Sequence, residues 1–204
     1  DEEALKETAE RLREGQVLAI KGLGGFHLAV DAQNQAAVLA LRQRKHRAEK
    51  PLAVMSMDPA TVRQYAHVDL NSEVLLTSPQ RPIVFMEKTH AATIAEDVSP
   101  DNRYFGVMLP YTPLHYLLLA EGFIALVMTS ANLSEEPIAI DNEEAFDRLS
   151  GIADYFLMHN RDIYLRSDDS IMRHVAGVNR FVRRSRGYVP TPIFLDRPVP
   201  PILA

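Results

Sequence analysis

The sequence has 204 residues, of which 47% are hydrophobic and 24% are charged. This length and composition are typical of one globular domain, and they exclude a disordered, collagen-like or purely coiled-coil chain. The absence of cysteine excludes a disulfide scaffold, a thiolate nucleophile and a cysteine-ligated metal site, and it fits a cytoplasmic protein.

The net charge of -5 is distributed unevenly along the chain. Residues 42–50 and 180–186 hold nine of the 22 Lys and Arg residues but one of the 27 Asp and Glu residues. These sixteen positions carry a net charge of +8, and the rest of the chain carries -13. This segregation predicts a local anion-binding site on an otherwise acidic protein, although exposed helix faces can also be basic by chance.

Apolar periodicity, caps and prolines predict alternating helices and strands. The predicted strands cover residues 17–20, 26–30, 52–55, 83–86, 105–109 and 123–128. The predicted helices cover residues 2–14 and then begin at caps Asn34, Asp58, Asn71, Thr112 and Asp141. Residues 171–182 predict a hairpin that turns near Gly177. This order predicts an α/β (α+β) fold with a mixed rather than purely parallel sheet.

The most apolar stretch, residues 106–131, predicts no membrane span because prolines and charges interrupt it. It is expected to form a strand, a helix and a strand, the helix presenting Leu114, Leu117 and Leu118 on one side. Several prolines follow position 190, so we expect a domain over residues 1–190 and an extended linker over residues 191–204.

Two local patterns argue against common cofactor sites. Gly22, Gly24 and Gly25 follow a strand, but His27 and strand-like alternation come next, so no helix N-terminus faces a pyrophosphate. The histidines show no metal-ligand spacing, so we expect no protein-ligated metal. Asp168 and Asp169 would point to opposite faces of a strand, so that only one meets a shared ligand.

The strongest polar signal is the basic stretch around Lys45, Arg47 and Lys50. Pro51 biases Lys50 away from helix, so these side chains are expected on a helix end and on the loop that enters the sheet. Planar Arg forks and point-charge Lys side chains suit a triphosphate. The alternative is a solvated helix end, where cations are favoured by the helix dipole.

A second polar signal, Thr129, Ser130 and Asn132, directly follows a buried strand. In open α/β sheets, ligands bind beyond the carboxyl ends of strands, where hydroxyl and amide groups can meet phosphate or ribose. A capping turn would explain the same residues. Arg184 and Arg186 would share one strand face and Arg183 the other, so this cluster needs a bend to act as one patch.

These motifs resemble the Lys-x-Arg and Ser-x-Asn signature of the YrdC/TsaC family. Further stretches narrow the resemblance to the YrdC-like domain of the HypF family, the carbamoyltransferases of [NiFe]-hydrogenase maturation. These stretches are residues 21–32, 106–110, 159–163, 168–170 and 183–190. The resemblance implies a twisted mixed sheet flanked by helices, with a basic concave nucleotide site. Threonine-using relatives carry a Thr-x-Thr-x-Tyr-Gly pattern where this chain has Gly22, Gly24, Phe26 and His27, which argues against threonylcarbamoyl-adenylate synthesis.

The resemblance implies that ATP and carbamate, derived from carbamoyl phosphate, give carbamoyl-adenylate and pyrophosphate, with Mg²⁺ as the accompanying cation. It implies transfer to the partner HypE, with further HypF domains as partners. It gives catalytic roles to Lys45, Arg47, Ser130 and Asn132. It adds nucleotide contacts at Lys21, Lys50, Thr129, His159, Arg161, Ser170, Arg184 and Arg186. The alternatives are threonylcarbamoyl-adenylate synthesis, an antibiotic O-carbamoyltransferase and a double-stranded RNA-binding module.

Overall fold

The computed structural model describes residues 2–90, 93–133 and 136–200, so the last four residues of the predicted linker lie outside it. The helices are α1 (Glu2–Arg13), α2 (Gln35–Arg44), α3 (Pro59–Val62), α4 (Leu70–Thr77), α5 (Pro113–Leu119) and α6 (Asn142–Leu149). The strands are β1 (Leu18–Lys21), β2 (Phe26–Asp31), β3 (Ala53–Met55), β4 (Ile83–Glu87), β5 (Tyr104–Met108), β6 (Leu126–Ser130), β7 (Tyr155–Leu157), β8 (Ile171–Val175) and β9 (Val178–Arg183). A 3-10 helix covers Glu96–Val98.

The strands form one sheet in the order β7-β1-β2-β6-β3-β5-β4-β8-β9. The pairs β1-β7, β3-β5 and β4-β8 are parallel, and the other pairs are antiparallel. The predicted mixed α/β sheet is therefore confirmed, and so is the final hairpin, β8-β9. Among the described residues, no helix is long and apolar enough to cross a membrane.

Side chains are buried on both faces of the sheet. One apolar cluster contains Val54, Val107 and Val127 together with residues of α2, α4 and α6. The other contains Met55 and Met108 together with residues of α1 and α5. Successive strand residues project to opposite faces of the sheet. Because helices cover both faces, both sets of side chains are buried, and the central strands are continuous apolar runs.

The helix starts follow the predicted caps with one exception. The side chains of Asn34, Asp58, Thr112 and Asp141 accept backbone N–H bonds at the starts of α2, α3, α5 and α6. The prediction of Asn71 as a cap is wrong, because the Asp69 carboxylate accepts the Ser72 N–H at 2.7 Å and Asn71 lies inside α4.

Two other predictions needed correction, and two further elements were missed. The short strand β7 and the 3-10 helix were not predicted. Strand β6 begins at Leu126 although Phe123 is buried, because apolar character reports burial rather than strand pairing. The buried side of α5 also differs from the prediction, because Leu117 is 53% exposed. The buried residues are His115, Leu118 and Leu119, which lie on one side of the helix at helical spacing.

Candidate nucleotide site

A cavity of about 400 Å³ lies over the sheet face that carries α5. Side chains from β2, β6, β3, β5, β4, β8 and β9 line it, which are seven consecutive strands of the sheet. Loops that precede β2, β3, β5, β8, α5 and α6 complete the wall. Its volume lies in the range of small-molecule sites, about 300–1,000 Å³.

The floor of the cavity is apolar and open because two central strands carry small residues. Ala53 and Phe85 flank Gly106 in the register of β3, β5 and β4, so all three positions share one face. A Cβ atom on Gly106 would lie 3.0 Å from a methyl group of Ile83. Glycine and alanine here leave space that larger side chains would fill.

One end of the cavity is cationic. Arg47, Lys50 and Arg183 all line it, and we call these three residues the cationic end. Arg47 donates to the carbonyl of Lys50 at 3.1 Å, to Thr129 Oγ1 at 3.2 Å and to the carbonyl of Pro51 at 2.6 Å. Because a guanidinium has five N–H donors, about two remain for a ligand. Burial, together with the charges of Arg42 and Arg183, lowers the pKa of Arg47 to about 10, so it stays charged at neutral pH.

Lys45 lies behind the cavity wall and does not line it. Its side chain is buried, and Nζ donates to the carbonyl of Ser130 at 2.8 Å, to Asn132 Oδ1 at 3.0 Å and to the carbonyl of Asn132. These three acceptors use all three ammonium protons. Burial, and then the charges of Arg47 and Lys50, lowers the pKa of Lys45 to about 8. Lys45 therefore holds the loop after β6 rather than a ligand.

That loop presents two of the predicted polar residues to the cavity. Thr129 and Ser130 line the cavity, whereas Asn132 does not. Ser130 Oγ donates to Asn132 Oδ1 at 2.9 Å, and Asn132 Nδ2 donates to the carbonyl of Glu136 at 2.6 Å. Asn132 therefore ties the loop together, and the carboxyl end of β6 reaches the cavity as the sequence predicted.

Three predicted contacts lie together but outside the cavity lining. Lys21 is buried, and its Nζ donates to the carbonyl of His159 at 3.2 Å. Burial, and then the charges of Lys21 and Arg161, lowers the pKa of His159. The Arg161 side chain is exposed. The structure thus groups Lys21, His159 and Arg161 beside the cavity without bringing them into its wall.

Ser170, Arg184 and Arg186 do not line the cavity. Ser170 Oγ donates to the carbonyl of Arg186 at 2.9 Å and accepts the Ser185 N–H at 2.8 Å. Arg184 donates to the carbonyls of Tyr188, at 2.8 Å, and Thr191. Arg183, the last residue of β9, is the member of the arginine cluster that lines the cavity.

Asp168 and Asp169 both line the cavity, although the sequence predicted that they would point to opposite faces of a strand. Neither residue lies in a named strand, and the alternation of strand side chains therefore does not apply. The Asp168 carboxylate lies 3.5 Å from Arg183, and Asp169 accepts a 2.8 Å bond from Arg186. The two acids are thus paired with two different arginines.

Six polar residues of the cavity wall were not predicted from the sequence, and they include Asn102 and Ser167. Tyr104 and Arg173 line one wall, where Arg173 donates to the Tyr104 hydroxyl at 2.6 Å. His27 and Tyr111 line another, and His27 Nε2 lies 2.9 Å from the Tyr111 hydroxyl. These residues come together from distant parts of the chain. The sequence pointed to one of them, His27, because it differs from the Thr-x-Thr-x-Tyr-Gly pattern of the threonine-using relatives.

Comparison with known proteins identifies the class. The profile of the Sua5/YciO/YrdC family, described as telomere recombination, matches residues 10–185. The chain therefore belongs to the Sua5/YciO/YrdC family. The fold described above is thus the fold of that family, and the resemblance that the motifs indicated is confirmed.

Within that family the chain is similar to HypF proteins. It is 46% identical to carbamoyltransferase HypF2 of Cupriavidus necator, in an alignment that covers 100% of this chain and 28% of that protein. The crystal structure of full-length HypF in its phosphate- and nucleotide-bound form superposes with a TM-score of 0.91 at 50% identity, covering 94% of this chain and 30% of the other. The chain thus spans little more than a quarter of these relatives.

A more distant relative represents the other activity in the family. The threonylcarbamoyl-AMP synthase of Mus musculus is 33% identical over 148 residues, which are 71% of this chain and 52% of that protein. Both named activities belong to enzymes, which agrees with the prediction of an enzyme.

Proposed function

We propose that this chain binds ATP in the cavity and forms carbamoyl-adenylate from ATP and carbamate, with release of pyrophosphate. The observation that carries the proposal is the cationic end, where Arg47, Lys50 and Arg183 converge on one cavity. The similarity to a nucleotide-bound HypF supports the choice of a nucleotide as the ligand. The carbamate specificity rests on the similarity to carbamoyltransferases over the whole chain.

In the proposed step, a carbamate oxygen forms a bond to the α-phosphorus of ATP. The bond from that phosphorus to the bridging oxygen breaks, and pyrophosphate leaves with the electron pair. No proton is transferred and no group is oxidised, so the protein needs neither a side-chain nucleophile nor a general base. Catalysis then consists of positioning the reactants and neutralising charge on the phosphates.

The described residues divide these tasks. Arg47 and Lys50 line the cavity, and two N–H donors of Arg47 bind no other group in the part of the chain that the structure describes. Both cations would stabilise the negative charge of the triphosphate. Ser130 lines the cavity at the end of β6, and its hydroxyl oxygen, which donates its proton to Asn132 Oδ1, can still accept a hydrogen bond. Lys45 and Asn132 act through this loop, because their polar atoms are bound within it.

In this proposal Mg²⁺ binds in the cavity mainly through the phosphate oxygens of the nucleotide. Among the residues that the structure describes, no group of three or more His, Asp or Glu side chains could hold a metal ion. Protein-bound Mg²⁺ usually takes one or two carboxylates plus phosphate oxygens and water. In this proposal Asp168, which lines the cavity beside Arg183, would hold the ion together with the phosphates. When bound, the ion would neutralise charge on the triphosphate.

The HypF similarity also suggests the fate of the adenylate. We propose that other HypF domains receive the carbamoyl group and pass it to HypE, where it becomes a precursor of the cyanide ligands of [NiFe] hydrogenase. Carbamoyl phosphate would supply the carbamate. In this scheme the present chain contributes the ATP-dependent activation.

The test is ATP–pyrophosphate exchange with two alternative acceptors. Ammonium plus bicarbonate, which generates carbamate in solution, is expected to support exchange of labelled pyrophosphate into ATP. Threonine plus bicarbonate is expected to give only the background rate. Threonine-dependent exchange would instead support threonylcarbamoyl-adenylate synthesis, the activity of the mouse relative. Absence of exchange with both acceptors would refute the proposal.

A further inference from the structure

A second group of polar side chains lies in the same cavity, and the nucleotide contacts proposed above do not use it. It consists of His27, Tyr111 and Asp169, which all line the cavity, and we call it the polar end. His27 lies directly opposite Ser130 in the register of β2 and β6, so the polar end adjoins the loop after β6.

Tyr111 is held on two sides. Its hydroxyl lies 2.9 Å from His27 Nε2, and the guanidinium carbon of Arg186 lies 3.6 Å from the centre of its ring. Arg186 is itself fixed, because it donates to Asp169 at 2.8 Å and to the carbonyls of Gln80, at 3.1 Å, and Arg81, at 2.9 Å. The tyrosine ring therefore has a defined position and its hydroxyl a defined hydrogen-bond partner.

The two ends of the cavity differ in charge. Burial lowers the pKa of His27, and it lowers the pKa of His115, which packs edge-on against Tyr111, to about 3. Both imidazoles are therefore neutral at physiological pH. The polar end offers an uncharged hydroxyl and the carboxylate of Asp169, which is paired with Arg186. The cationic end offers three positive side chains, of which Arg183 is paired with Asp168.

This difference suits a ligand that is strongly anionic at one end and carries N–H donors at the other. The Asp169 carboxylate accepts hydrogen bonds from N–H donors, and its negative charge favours an orientation in which the anionic oxygens of a ligand face the cationic end. A carbamate beside the α-phosphate of ATP has this character, because its amino group donates and its oxygen is directed to phosphorus.

We propose that Tyr111 recognises the small acceptor of the reaction, and that His27 and Arg186 are positioning residues that hold its hydroxyl and its ring. This inference rests on the proposed function. It also changes the expected role of Arg186, from a phosphate contact to the support of the acceptor site.

The test compares Michaelis constants for the two substrates in ATP–pyrophosphate exchange. Tyr111→Phe removes the hydroxyl and keeps the ring against Arg186. The KM for carbamate, supplied by ammonium and bicarbonate, is expected to rise about tenfold, as for one lost hydrogen bond. The KM for ATP is expected to stay within about twofold. Tyr116→Phe is the matched control, because Tyr116 lies on α5 with 41% of its surface exposed and does not line the cavity.

A double-mutant cycle tests the role of His27. His27→Leu is expected to raise the KM for carbamate in the same way, and the double variant with Tyr111→Phe is expected to be no worse than Tyr111→Phe alone. His27→Gln keeps a hydrogen-bonding side chain and is expected to recover part of the loss. Should Tyr111→Phe fail to fold, the KM for carbamate and the KM for ATP in His27→Leu and His27→Gln provide the test instead.

The outcomes separate the inference from the proposed function. Absence of carbamate-dependent exchange in the unmodified protein would refute the proposed function. Normal exchange in that protein, together with an unchanged KM for carbamate in Tyr111→Phe, would refute the role of Tyr111 alone. An equal rise in both Michaelis constants would also overturn it, because a general structural defect does not discriminate between substrates.

Discussion

Replacing Arg47 with methionine removes the guanidinium from the cationic end and keeps most of the aliphatic stem. Three of the guanidinium N–H groups are bound within the protein, to the carbonyls of Lys50 and Pro51 and to Thr129. The other two are available to the triphosphate. A hydrogen bond to a charged group is worth about 1.5–3 kcal/mol, so the loss of two amounts to about 3–6 kcal/mol. Each 1.36 kcal/mol corresponds to a factor of ten, which predicts a decrease of about 10²- to 10⁴-fold in carbamate-dependent exchange.

The assay is ATP–pyrophosphate exchange, with thermal unfolding measured on the same samples. Arg180→Met is the control for charge, because Arg180 belongs to the same basic cluster but is exposed on β9 and does not line the cavity. Arg47→Lys keeps the positive charge but lacks the planar guanidinium. Its exchange rate is expected to lie between those of Arg47→Met and Arg180→Met. Exchange by a folded Arg47→Met variant within threefold of the unmodified protein would refute the assignment of Arg47 to the triphosphate.

Three further predictions concern the cavity floor, a buried histidine and a helix cap. Ala53→Leu projects a larger side chain into the open floor, and we expect at least a tenfold rise in the dissociation constant for ATP, measured by calorimetry; unchanged affinity would show that the ligand binds elsewhere. Because burial lowers the pKa of His115 to about 3, its unfolded form binds more protons between pH 3 and 6.5, so stability falls with decreasing pH across that window. Urea unfolding should show a loss of about 2 kcal/mol from this group between pH 7 and 5, and His115→Phe should lose less over that interval; equal losses would contradict it. Asp141→Ala removes the capping box of α6 and should lower the free energy of unfolding by about 1 kcal/mol without changing exchange, whereas an unchanged urea midpoint would contradict this.

Local features of the chain could be predicted because they depend on neighbouring residues. The caps at Asn34, Asp58 and Asp141 need only a short acceptor side chain and an N–H two or three positions later, so sequence spacing reveals them. The cap of α4 was assigned to Asn71 because Asn and Asp both suit that position, and the choice of Asp69 depends on where the helix starts.

The candidate site could be predicted in its composition but not in its geometry. Lys45 and Arg47 are two residues apart, yet Arg47 lines the cavity and Lys45 is buried against the carbonyls of Ser130 and Asn132. Burial of an ammonium group requires oxygens from a distant loop, and no local pattern identifies that loop as its neighbour.

The sequence by itself determined the family, the alternation of helices and strands, and the presence of a basic stretch beside a polar loop. These properties depend on periodicity, capping and motif order along the chain. Only the tertiary structure decided which side chains share the cavity. His27 on β2, Ser130 on β6 and Asp169 just before β8 are far apart in the sequence, and the sheet brings them to the same cavity. The pairing of Tyr111 with His27 arises in the same way, from long-range packing that brings the start of α5 against β2.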